Sequence, residues 1–422
     1  MSNEQLLERL DALQCHFTWE LGVKGCFNPT HILQKVAVEL RHTMQQNQAA
    51  LLGLQAYLYV LNNQNKEQQQ AATATSLITC GNYAWIKYLQ AEYQEAEEYL
   101  EQIQQLCPAP WDARLIPHIQ VQKGWSLLVV RSQNGERARE CFEAALMLEP
   151  DNDDFHAGLG QALFASSNYF WSSNIASRAI SQLERTIDRQ PNDYRAKIYL
   201  ADLFKRMDEK KRAMDLIKEC AENSSDPEVL KRSALYYLSQ SAARAVEILK
   251  QALQENPDYH LLYQALAKCY KKLWLTAEDE DKNDVLDAAI RHLEQIVQDH
   301  PDCDLTLTKL QLAELYGARN PSQEEDVYKE LQEQSESLSL RGRQVLNHNW
   351  GKFCLYKKRS RHEALEKFMV CYKIPLNSGV RHECARMMRK MALNCSSEDA
   401  NFIFRFIDDV NYSLPMEFAE KA

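Results

Sequence analysis

Apolar residues along the chain keep a helical rhythm, and one version of it recurs. An alanine is followed four residues later by a large apolar residue, three further on by a small or medium one, and five beyond that by proline. The pattern stands at Ala96/Leu100/Ile103/Pro108, Ala138/Phe142/Ala145/Pro150, Ala179/Leu183/Thr186/Pro191, Ala245/Leu249/Ala252/Pro257 and Ala289/Leu293/Ile296/Pro301. Weaker forms stand at Ala213/Ile217/Cys220 and Ala364/Phe368/Cys371. Steps of four and three place the side chains on one stripe of a helix. The alanine lets a neighbouring helix come close, and proline, which has no N–H to donate, stops the helix where the chain turns. A second motif predicts a partner helix: a large residue, then a small one, then an aromatic three further on. It occurs at Leu200/Ala201/Phe204, Leu266/Ala267/Tyr270 and Leu312/Ala313/Tyr316, and at Trp350/Gly351/Cys354 with cysteine in the last place.

Helix pairs of this kind are tetratricopeptide repeats. Successive repeat alanines lie 42, 41, 34, 32 and 44 residues apart, so the array is irregular, with inserts at 166–178 and 274–287 that read as surface loops or short extra helices. Each repeat buries its apolar face against the next. The expected fold is therefore all-α: one tetratricopeptide-repeat superhelix, or α-solenoid, over 1–422, with subdivisions at 1–165, 166–302 and a basic 303–422. Its convex side should be acidic and its concave side or central channel should take the ligand. Composition agrees, since Gly and Pro number only 12 each. The N-terminus lacks the basic start and apolar block of a signal peptide, and no stretch is long and apolar enough to span a bilayer. Twelve cysteines stand singly with no CxxC, which fits a reducing cytosol.

Charge narrows the ligand. The net charge is −10, yet residues 341–391 carry thirteen Lys/Arg against three Asp/Glu. Lys357, Lys358, Arg386 and Lys390 in that block are candidates for phosphate contact, with Arg386 and Lys390 four apart on one helical face. The competing reading is a solvated face. There is no HExxH, no GxGxxG and no GxxxxGK[ST], so no metal, cofactor or catalytic site is expected and the chain is read as acting by binding. The stretch CHFTW (residues 15–19) places a thiol beside an imidazole, but neighbours in a helix point in different directions. It is read as packing, with Phe17 and Trp19 against Leu51, Leu54 and Tyr57, Cys15 buried and His16 on the wetter side.

Several stretches carry a resemblance to a known family. CHFTWEL (15–21), LQAYLYVLNNQNK (54–66), GNYAWIKY (81–88), KGWSLL (123–128), CFEAALMLEPDN (141–152) and NHNWGKFCLYKKRSRHEALEKF (347–368) resemble, in order and spacing, the interferon-induced proteins with tetratricopeptide repeats, the IFIT family. The resemblance implies an antiviral cytosolic effector whose repeats surround a positively charged tunnel. RNA-binding members take a single-stranded 5′ end bearing a triphosphate or an incompletely methylated cap, and so block translation of the foreign message. Other members act chiefly by binding proteins, including their own relatives.

Carried over residue by residue, the resemblance assigns RNA contact to Lys35, Trp125, Arg195, Lys197, Lys231 and Arg232, with Arg131 substituting for a lysine lost at Val129. Against that reading, Glu39 stands where a glutamine is expected, Ala165 where an arginine is expected, and Gln264 and Ala265 where a His-Gln pair is expected. The segment after Lys66 is shorter than the family's. Each candidate has a plainer reading, Trp125 as a core ring and the cations as partners of the abundant carboxylates. Two functions follow: single-stranded RNA capture, or a scaffold that assembles with relatives.

Overall fold

The computed structural model describes residues 3–22, 29–42, 48–61, 77–107, 116–130, 132–168, 171–257, 259–301 and 303–413. These residues are overwhelmingly helical, with no strand among them. They group into two compact units, one of Met1–Val23 with Pro29–Tyr236, the other of Lys24–Asn28 with Tyr237–Ala422. That boundary falls at neither 165 nor 302.

In the N-terminal unit α1 (Asn3–Asp11), α2 (Pro29–His42) and α3 (Gln48–Leu61) precede helix pairs: α4 (Leu77–Leu89) with α5 (Tyr93–Leu106), α6 (Pro117–Val130) with α7 (Gly135–Leu148), α8 (Asp153–Ser167) with α9 (Ser173–Arg189), and α10 (Tyr194–Arg206) with α11 (Lys210–Asn223), followed by α12 (Pro227–Tyr237). The second unit begins with α13 (Ala242–Glu255). Its pairs are α14 (His260–Thr276) with α15 (Lys282–Asp299), α16 (Thr306–Arg319) with α17 (Pro321–Glu333), α18 (Leu340–Tyr356) with α19 (Arg361–Lys373), and α20 (Gly379–Ala392) with α21 (Ser397–Ser413).

The predicted stripe is the core. Ala96, Ala138, Ala179, Ala213, Ala245, Ala289 and Ala364 are all fully buried, as are Phe142, Leu183, Leu249, Leu293 and Phe368 four residues on. Proline acts one residue upstream of itself, because its ring excludes the helical conformation for the residue before it. Glu149, Gln190, Asn256 and His300 accordingly adopt φ of −128°, −130°, −134° and −127° with ψ between 60° and 78°. Four helices thus end two residues before their proline; Pro108 lies outside the described residues. Close approach is set by small residues on the facing helix. A Cβ on Gly158 would fall on the ring of Phe142, and one on Gly351 would lie 2.7 Å from the ring of Phe368.

Two points refine the expectations. The insert at 274–287 is largely helix: α14 runs on to Thr276 and α15 starts at Lys282, leaving five residues between them. A repeat was also missed. In α17 the alanine position is taken by Glu324, followed by Tyr328 and Leu331 at plus four and plus seven, all buried. The carboxylate is tolerated because Lys357 pairs with it at 2.5 Å and the Tyr328 hydroxyl donates to it at 2.8 Å, while Gly317 leaves the space it occupies.

The stretch 15–19 packs as expected in part. Cys15 is fully buried, Trp19 is 1% exposed, and Phe17 meets Tyr57 edge-on at 4.9 Å. His16, however, is not on a wetter side: it is completely buried. Residues 12–20 are turn rather than helix, so helical geometry does not set the ring's direction. Its Nε2 lies 3.2 Å from the Ala50 carbonyl and 3.1 Å from Ser126 Oγ, and the Asn82 amide donates to Nδ1 at 3.0 Å. Gly53 makes room for it, since a Cβ there would stand 2.7 Å from Cε1. Burial, opposed by these hydrogen bonds, pushes the imidazole pKa down to about 4.

Candidate nucleic-acid interface

Six helices of the N-terminal unit converge on a cavity of about 260 Å³, and a second of about 100 Å³ shares Glu39, Trp125, Val129, Gln161 and Arg195 with it. The two are compartments of one chamber, meeting at the Trp125 ring and the Arg195 guanidinium. Trp125, on α6, is half-buried and leans edge-on against Phe142 at 5.3 Å. It is therefore both a packed ring and a wall of the chamber.

Arg195, on the first turn of α10, is the central cation. It pairs with Glu39 of α2 and, through Nε at 2.5 Å, with Asp226, while Nη2 is buried with no hydrogen-bond partner. Burial works against its charge, but the carboxylates of Glu39 and Asp226 outweigh that and hold its pKa well above the ordinary value. Lys35, one turn before Glu39 on α2, donates to the Val129 carbonyl at 2.7 Å. Burial lowers its pKa, opposed by Glu39 and Glu228. Arg232, on α12, pairs with Asp202 and Glu228, each at 3.2 Å, and lies over the stacked rings of Phe164 and Tyr199. Lys231 pairs with Glu228 at 2.5 Å. Glu228 is buried, which opposes its charge, yet Lys231, Arg232 and Lys35 keep its pKa well below the carboxylate range.

The charges divide by compartment. In the larger, Glu39, Asp154, Asp193 and Asp226 face Arg195 and His42; in the smaller, Lys35, Arg195 and Arg232 face Glu39 and Glu228. Burial raises the pKa of Asp193, whose carboxylate also caps α10 by accepting from Ala196 N at 2.9 Å. Val129 and Ala165, the positions where cations were expected and are absent, both line the smaller compartment.

Not every candidate converges here. Lys197 pairs with Glu219 at 2.5 Å and lies over the Tyr194 ring. Arg131 lies outside the described residues. The remaining candidates belong to the second unit, where carboxylates hold most of them: Lys357 by Glu324, Lys358 by Glu325 and Glu363, and Arg386 by Glu383 at 2.6 Å. Arg386 thus spends its guanidinium on its own helix rather than joining the exposed Lys390. Arg381, counted in the basic block, is fully buried and donates to the Tyr372 carbonyl. Sequence reasoning missed Asp193, Asp226 and Glu228. A signal was available: Asp226 precedes Pro-Glu, a helix start, and its Oδ1 accepts from Glu228 N at 2.8 Å. Among the described residues no group of three or more His, Cys, Asp or Glu could hold a metal ion, and no helix is long and apolar enough to cross a membrane.

Comparison with known proteins gives two kinds of match. A family model described as Intraflagellar transport protein 56 matches residues 125–365, a stretch that is repeat helices from α6 to α19. Full-length matches are of another kind. The human "Antiviral innate immune response effector IFIT1" is 25% identical over 100% of this chain and 96% of its own length. Human "Interferon-induced protein with tetratricopeptide repeats 2" is 25% identical over 98% of this chain and 94% of its own. The solved structure "Human IFIT1 dimer with m7Gppp-AAAA" superposes with a TM-score of 0.69 at 25% identity, covering 97% of this chain and 95% of that one. The first match omits the N-terminal 124 residues, which hold motifs such as CHFTWEL and GNYAWIKY that a repeat does not require, whereas the others include them. With its all-α tetratricopeptide-repeat superhelix class and end-to-end coverage, the chain is similar along its whole length to the interferon-induced proteins with tetratricopeptide repeats.

Proposed function

We propose that the chain is an antiviral effector that binds the 5′ end of single-stranded RNA in the chamber of its N-terminal unit and so withholds foreign messages from translation. The division of charge about Trp125 and Arg195 carries the reading. A 7-methylated guanine is a flat cation, which stacks on an aromatic face and whose N–H edge donates to carboxylates. The larger, acidic compartment beside Trp125 has that chemistry. The 5′ phosphates then lie toward Lys35, Arg195 and Arg232 of the smaller compartment, where Arg195 Nη2 has a donor to spare. The human relative named above was solved with m7Gppp-AAAA.

Filter binding of one short RNA with a 5′ m7Gppp, Gppp, triphosphate or hydroxyl end tests this. The m7Gppp end should bind tightest and the hydroxyl end weakest, with affinity falling as salt rises by about 0.7 log units per log unit of salt for each phosphate contact. Glu39→Gln keeps a hydrogen-bond acceptor for Arg195 but removes one negative charge. It should tighten triphosphate binding on the order of tenfold, because unit charges about 4 Å apart interact by roughly 1 kcal/mol in water and by more where water is excluded. Equal retention of all four ends would end the proposal.

A second reading, assembly with family members, is favoured by α21. Ile403, Ile407 and Val410 face the core, leaving Phe402 at 57%, Phe404 at 41% and Tyr412 at 95% exposure on a terminal helix. The same solved relative is a dimer. Light scattering after size exclusion should show a dimer for the full chain and a monomer for Phe402→Glu with Phe404→Glu; a monomer in both cases removes this reading.

A further inference from the structure

The smaller compartment does not close at Ala165. It continues to Asn168, at the C-terminal end of α8, and Asn168 leads to a cation and an aromatic ring that nothing above uses. Arg206, the last residue of α10, donates through Nη1 to Asn168 Oδ1 at 3.0 Å and through Nη2 to the Ser167 carbonyl at 3.0 Å. Held at both nitrogens, its guanidinium lies over the Trp171 ring, 3.9 Å from the centroid. Trp171 is 44% exposed, far more than a tryptophan retained for packing. Partial desolvation lowers the pKa of the otherwise exposed Arg206. On the inner side of the same compartment, Phe164 and Tyr199 stack at 4.5 Å with 15° between their planes, and Arg232 lies over both.

Aromatic faces backed by fixed guanidinium groups, leading out of a chamber, match a single strand of bases: every base has a face to stack, and phosphates track the cations. We propose that Trp171, held by Arg206, is a stacking platform for the nucleotides that follow the RNA 5′ end as the strand leaves the chamber. The inference rests on the cavity reading above and adds a second contact site to it. Arg206 is a positioning residue, since it fixes the indole, and Trp171 is the contact.

The test compares two ligands on the full chain by fluorescence anisotropy: a capped dinucleotide, which fills only the chamber, and the same cap carrying eight nucleotides. Trp171→Ala should weaken the long ligand about tenfold, within the range measured for base–aromatic stacking, and leave the dinucleotide unchanged, while Trp171→Phe restores most of the loss. Abasic sites at nucleotides three to six should cost the wild type the same factor and cost Trp171→Ala nothing more. Equal affinity of wild type and Trp171→Ala for the long ligand, with the dinucleotide still bound, overturns the platform and leaves the cavity reading standing. Failure of the wild type to bind either ligand overturns both. A loss in Trp171→Ala that is the same for the dinucleotide and the long ligand also overturns the platform.

Discussion

Replacing Arg195 with alanine is expected to lower the stability of the chain by about 3–5 kcal/mol, the usual cost of leaving buried charge without its partner. The side chains of Glu39 and Asp226 are only 12% and 11% exposed, and Arg195 at 14% is the cation between them. Without it, two carboxylates on helices far apart in sequence face each other, and one must take up a proton or the helices must separate. Urea unfolding followed by tryptophan fluorescence measures the loss. The control is the same substitution in a Glu39→Gln, Asp226→Asn background, where no charge is stranded and most of the loss should disappear. A loss below about 1 kcal/mol in the single variant would mean that water already reaches the cluster and that the chamber is not the low-dielectric site described. For the same reason Arg195→Ala is a poor test of RNA binding, because its effect on the fold precedes any effect on a ligand; Glu39→Gln separates the two.

Much of the fold was legible because the repeat is a local code. Alanine with an apolar residue at plus four and plus seven makes a stripe whatever the rest of the chain does, and a proline dictates the conformation of the residue before it. The code fails where tertiary chemistry substitutes for it. Glu324 occupies an alanine position because Lys357, thirty-three residues later, neutralises it and Gly317 makes room; neither is visible in the motif. What remained readable was the spacing, since Tyr328 and Leu331 follow Glu324 at the expected steps and Pro321 begins the helix.

The site was legible as a list of residues but not as a balance of charge. Lys35, Trp125, Arg195 and Arg232 do meet, carried by α2, α6, α10 and α12. Their partners were the missing half: Asp226 and Glu228 come from one helix start, and Glu39 reaches Arg195 across 156 residues of sequence. A net count over a segment cannot reveal this pairing. The block 341–391 shows the same limit, because Glu324 and Glu325, which neutralise Lys357 and Lys358, lie outside it.

The buried imidazole of His16 makes the stability of the N-terminal unit depend on pH between about 4 and 6.5. Its pKa is about 4 in the folded chain against 6.5 for a free histidine, so between these values the unfolded chain holds a proton that the folded chain does not. Stability therefore falls as pH drops from 6.5 toward 4, by about 3 kcal/mol over the whole window at 1.36 kcal/mol per unit, and the contribution is fully present above 6.5. Burial also lowers His292 and His348, so the His16 share is the difference between the urea profiles of the wild type and His16→Gln. That difference should shrink steadily from pH 7 to pH 5. The cause is burial of the ring, which the hydrogen bonds to Asn82 and the Ala50 carbonyl oppose without overcoming. A difference between the two profiles that stays flat from pH 7 to pH 5 would mean that Asn82 flips its amide to accept instead, and that the ring takes its proton without leaving the core.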